Sequence, residues 1–149
     1  MPLCQVWYYM IMTQMNCTDC NFFLYDCIAK LGVSTLAFVN DRRYPGRCML
    51  GFNSHAELID DLTDETYEKL MLDLKKAVRA IRLATKCDRV NVCLLCNREH
   101  HVHFHLTPRS GEFTQNTPPT HFQDVRESLP LENSEREKII MSIQDNLAN

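Results

Sequence analysis

Residues 101–105 read His101-Val102-His103-Phe104-His105. Side chains alternate across a β-strand, so this spacing projects His101, His103 and His105 from one face and Val102, Phe104 and Leu106 from the other. Each neutral imidazole carries one donor and one acceptor and is costly to bury without a partner or a task. One reading is structural: three surface or hydrogen-bonded histidines. A second is a metal-dependent hydrolase, because His-x-His on a strand can place two imidazoles on one ion, with His55, Asp60 or Asp61 as the outside ligand. The spacing alone leaves both open.

Cysteine is the other residue type with chemistry to offer, and the chain has eight. Cys17-Thr18-Asp19-Cys20 has the two-residue gap of a zinc knuckle. Cys93-Leu94-Leu95-Cys96 repeats the gap, which raises a four-cysteine site. That segment reads as strand, however, where residues three apart face opposite sides, so Cys93 and Cys96 are expected to be packing residues.

The elements that must position these groups follow from periodicity and punctuation. Runs at 22–25, 35–39 and 47–52 read as strands, broken by Asn40-Asp41 and Tyr44-Pro45-Gly46. Thr63 is a suitable N-cap, with Asp64 and Glu65 in the first turn, so a helix is predicted over about 64–84. Its apolar stripe is Tyr67, Leu70, Met71, Leu74, Val78 and Ile81, opposite a polar face that includes Asp73. Residues 89–96 read as another strand, a hairpin neighbour of the histidine strand. Residues 1–21 form a lead-in of uncertain structure, and 111–149 a C-terminal tail with a helix at 132–147 carrying Ile139, Ile140 and Ile143 on one side. The reading is an α+β fold: an antiparallel sheet of about five strands packed on one long helix and a short one, in a single domain over 22–110.

The chain has 149 residues, 45% hydrophobic and 23% charged, with a formal net charge of −3. This is ordinary globular usage and argues against nucleic acid as a partner, which calls for many Lys and Arg contacts to phosphate. The apolar run 6–12 is far short of the ~20 residues that span a bilayer, and no Lys or Arg precedes it as in a secretory signal. The expectation is a cytoplasmic protein with reduced thiols and no membrane partner.

The segment His101 to Thr107 resembles the signature of the histidine triad family, three histidines alternating with apolar residues, with Thr107 the one departure and Pro108-Arg109 following as in that family. Phe38 to Leu50, with its Pro45-Gly46 turn, is similar to the family's nucleotide-contacting strand–turn–strand, and His55 stands ahead of the long helix as it often does there. The likeness spans about 22–109 in the expected order. It implies a nucleotide hydrolase or nucleotidyltransferase that acts at the α-phosphate of purine nucleotides, such as dinucleoside polyphosphates or nucleoside phosphoramidates, with no cofactor required for catalysis. His103 would be the nucleophile, His105 a phosphate contact and His101 an orienting member. Asn97 would donate to phosphate and Asn40 bond the ribose, one position nearer the turn than in many relatives; Arg109 is a candidate for a distal phosphate. The likeness further implies a homodimer and, because some relatives bind structural zinc through a cysteine pair and two histidines, a zinc site of Cys17, Cys20, His55 and His101. A nucleotide-binding sensor or adaptor with little catalysis is the alternative within the same resemblance.

Overall fold

The computed structural model describes residues 14–111 and 129–149. The apolar run at 6–12 and most of the Thr- and Pro-rich stretch after Gly111 lie outside the described residues. Strands β1 (Gln14–Asn16) and β2 (Phe23–Tyr25) pair as a small antiparallel hairpin. β3 (Cys27–Lys30), β4 (Ser34–Phe38), β5 (Cys48–Phe52), β6 (Arg89–Cys93) and β7 (His103–Arg109) form a five-stranded antiparallel sheet in the order β3-β4-β5-β7-β6. Helix α1 (Asp64–Thr85) connects β5 to β6, and α2 (Asn133–Ala148) closes the described chain.

Register sorts the two faces of the sheet. Leu36 pairs with Leu50 and Leu50 with Phe104, and these residues join Phe38, Phe52 and Leu106 in a core packed against Leu70, Ala77, Ala80 and Ile81 of α1. On the opposite face His103 stands beside Gly51, and His105 between Met49 and Cys93. The hairpin covers part of this second face, burying Cys17, Phe22 and Leu24 with Cys27 and Ala37.

α1 begins where its sequence says it should: Thr63 Oγ1 accepts from Thr66 N at 3.3 Å, and Asp64 and Glu65 occupy the first turn. Lys86, at φ 55°, ends it in the left-handed conformation. The buried stripe is rotated from the predicted one. Tyr67 is exposed, whereas Asp73, predicted on the polar face, is buried. Its carboxylate accepts from Gly32 N (3.1 Å), Val33 N (2.8 Å) and Ser34 Oγ (2.7 Å), which satisfies it at the β3–β4 turn.

Other departures also have physical causes. β3 is a strand that periodicity does not predict: Asp26, at φ 51°, turns the chain sharply between β2 and β3, so two short strands look like one run and a loop. The strand predicted over 89–96 ends at Cys93. Packing also continues past the 22–110 unit at both ends. Cys17 is buried in the hairpin cluster, while Leu131 and Ile143 belong to the main core, with Ile139, Ile140 and Leu147 against it. Among the described residues no helix is long and apolar enough to cross a membrane.

Candidate functional site: a divided histidine triad

The three histidines do not share one role or one strand. β7 begins at His103, so His101 lies just before it, in a segment whose neighbour Val102 donates its N–H to Ala56 O at 2.8 Å. His101 is fully buried, with Nε2 2.8 Å from Phe52 O. That geometry makes Nε2 the protonated nitrogen and leaves the Nδ1 lone pair facing Cys20 Sγ at 3.4 Å. His103, also buried, has Nδ1 2.6 Å from His101 O; as the donor, Nδ1–H leaves the lone pair on Nε2. The His105 ring meets His103 nearly edge-on, centroids 5.1 Å apart.

Electrostatics keep the rings neutral. Burial pushes the His103 pKa below its ordinary value, although the hydrogen bond to His101 O and the charge of Glu99 pull the other way. Burial, then His103 and the Arg47 guanidinium, push His105 down to about 4. A neutral imidazole retains its lone pair, which nucleophilic attack requires.

Around the triad lie groups that the sequence did not place there. The Phe22 ring stacks on His101 at 4.2 Å and 7° and leans on His103 at 4.9 Å. Cys96, expected to be a packing residue, sits at φ 51° past the end of β6 with Sγ 3.8 Å from His103 Nδ1. Asp41, fully buried, bonds Arg43 through both oxygens at 3.0 Å and Arg47 at 3.2 Å. Burial raises the Asp41 pKa, but the bonds and charge of Arg43, then the charge of Arg47, outweigh it and hold the carboxyl below its usual range. Only Asn40 in this stretch was singled out from sequence.

The predicted substrate residues fare unequally. Asn97 is exposed in the bend leading to His101. Asn40 Oδ1 accepts from Leu131 N at 2.9 Å, which ties this residue to the C-terminal segment. Arg109 is six residues beyond His103 on β7, about 20 Å at 3.3 Å per residue. It is buried there, donating to Asn91 Oδ1 at 3.1 Å, and lines a cavity of about 400 Å³ with Arg43, Tyr44 and Thr85. The structure thus does not bring Arg109 to the triad.

Cys17, Cys20, His55 and His101 converge, with all four ligand atoms within 4.8 Å of one another. Cys17 Sγ is 3.7 Å from His55 Nδ1. Two thiols and two imidazoles suit tetrahedral zinc, and the Phe52 carbonyl orients His101 as outer partners of metal-bound histidines do. Asp60 and Asp61 are not part of this cluster: they are exposed in a 3-10 turn (Ile59–Asp61), where Asp61 Oδ2 accepts from Leu58 N.

No protein-family model matches the chain, and no curated protein does. Solved structures do. A histidine triad protein from Bradyrhizobium japonicum superposes with a TM-score of 0.71 at 24% identity, over 81% of this chain and 89% of that one. One from Sinorhizobium meliloti gives 0.69 at 21%, over 80% and 87%. A Zn-bound histidine triad family protein from Mycobacterium smegmatis gives 0.56 at 16%, over 82% and 83%.

Proposed function

We propose, from the premise that this chain has the fold of the histidine triad proteins, that it is a hydrolase or nucleotidyltransferase cleaving purine nucleotides at the α-phosphate. The observation that carries this reading is the anchoring of His103 Nδ1 on His101 O, which aims the Nε2 lone pair outward from a neutral ring. Nε2 attacks the α-phosphorus, and the bond to the leaving group breaks with its electron pair going to that group, which takes up the proton it needs from water. The nucleotidyl-imidazole then yields to water, giving a nucleoside monophosphate and restoring His103. The neutral His105 ring has one N–H to give to a phosphate oxygen as charge builds there. Asn97, exposed at the approach to the triad, supplies a second donor through its side-chain amide. Dinucleoside polyphosphates and nucleoside phosphoramidates are the substrate classes proposed.

Cys17, Cys20, His55 and His101 would hold a structural zinc, which supplies cross-linking and no open coordination position. A closed set of four protein ligands that excludes His103 and His105 favours nucleotidyl transfer over a metal-dependent hydrolase. Free thiols at Cys27, Cys48, Cys87, Cys93 and Cys96 fit a cytoplasmic location.

The test is incubation with labelled adenylate donors of both classes. An acid-labile adduct on His103, absent together with turnover from His103→Ala at a loss of at least about 10³-fold, is expected. No adduct and no turnover with either class would leave a nucleotide-binding sensor instead.

A further inference from the structure

Phe22 joins the metal-ligand set to the nucleophile. Its backbone belongs to the cysteine loop: its N–H donates to Cys20 Sγ at 3.4 Å and its carbonyl accepts from Cys17 N at 3.0 Å. The buried ring lies flat on His101 and tilts 31° onto His103. The same two histidines are tied by the bond from His103 Nδ1 to His101 O. The hydrogen bond sets the turn of the His103 ring about Cβ–Cγ only as tightly as one bond can; an aromatic wall against the ring narrows that range.

Room for that wall depends on one residue. Gly51 pairs with His103 across β5 and β7, and a Cβ there would stand 2.9 Å from Phe22 Cε1 and 2.8 Å from Leu24 Cδ1. Leu24 can swing its end away. The Phe22 ring, packed on two imidazoles, can move only by giving up its stack.

We infer that Phe22 is a positioning residue for His103, seated by Gly51 and held by the Cys17–Cys20 loop, so that closing the loop sets the plane of the nucleophile. This rests on the nucleophile reading above. A Leu at position 22 keeps the backbone N–H to Cys20 and the apolar volume but loses the flat ring, whereas Tyr keeps the ring.

The experiment compares Phe22→Leu, Phe22→Tyr, Gly51→Ala and the Phe22→Leu/Gly51→Ala double variant. Three readouts are followed: zinc content, kcat and KM, and the nitrogen-15 shifts that report the tautomer and hydrogen bonding of the His103 imidazole. In Phe22→Leu the expected result is unchanged zinc content, a fall in kcat of about tenfold or more with KM within about twofold, and shifted His103 nitrogen signals. Phe22→Tyr restores most of kcat. Gly51→Ala reproduces the loss alone but adds little to Phe22→Leu, since the ring it displaces is already gone. Wild-type kcat and unmoved His103 signals in Phe22→Leu would overturn the inference. So would additive losses in the double variant, or a loss of zinc that accounts for the whole effect. If Phe22→Leu does not fold, unmoved His103 signals in Gly51→Ala have the same force. Absent turnover in the unmodified protein counts against the proposed function, while the nitrogen signals still decide the role of Phe22.

Discussion

His105 stands beside His103 as a base that the fold keeps unprotonated. Its pKa in the folded protein is pushed down to about 4 by burial, then by His103 and Arg47, against about 6.5 for an unconstrained imidazole. Between those values the unfolded chain takes up a proton that the folded one refuses. The stability difference is therefore absent above about pH 6.5 and grows as pH falls toward 4, destabilising the fold by at most about 3 kcal/mol. Thermal melts at pH 7.5 and 4.5 should show the fall, and His105→Asn should reduce it; equal falls in the two proteins would remove His105 as a cause. At this scale the alternation of His101, His103 and His105 was readable directly. Their division of labour followed from the family resemblance and not from the spacing, because it depends on which carbonyl each ring meets, Phe52 O for His101 and His101 O for His103.

Among the elements, α1 shows how far periodicity reaches. Its cap and length follow from Thr63, Asp64 and Glu65, but its orientation is decided by Asp73, whose carboxylate finds three donors at the β3–β4 turn. Asp73→Ala strands those donors in a buried setting and is expected to cost about 2–4 kcal/mol, read as a lower urea midpoint with an unchanged slope. A loss under about 0.5 kcal/mol would mean that the turn is satisfied another way. The β1–β2 hairpin behaves differently, being short and held by its cysteine loop. If the proposed site holds zinc, Cys17→Ser should lower the zinc content below that of wild type and bring the melting temperature down to that of chelator-treated wild type; an unaltered melt would separate the hairpin's stability from metal binding. Cys17-x-x-Cys20 was plain in the sequence, but its partners His55 and His101 are 38 and 81 residues from the sulfurs they face. Only the family resemblance suggested them.

For the molecule as a whole, β3 and β6 are the sheet edges among the described residues, and β6 carries Val92 at 42% exposure. An edge with an exposed apolar residue favours pairing with a second copy. The expected sedimentation mass is twice the 17.4 kDa of the chain, and a single-chain mass at micromolar concentration would remove the homodimer from the reading.

The sequence by itself determined the elements that rest on local chemistry: the alternating strand, the capped helix, the Tyr44-Pro45-Gly46 turn and the antiparallel class of the sheet. Tertiary structure alone decided that Asp73 is interior, that Leu131 bonds Asn40, that Arg109 stands far from the triad, and that Phe22 lies against His103. Each of these depends on a contact between segments distant along the chain. A period of two or of 3.6 residues marks the face on which a side chain stands; which segment meets that face is set by strand order and by the hairpin folding over the sheet.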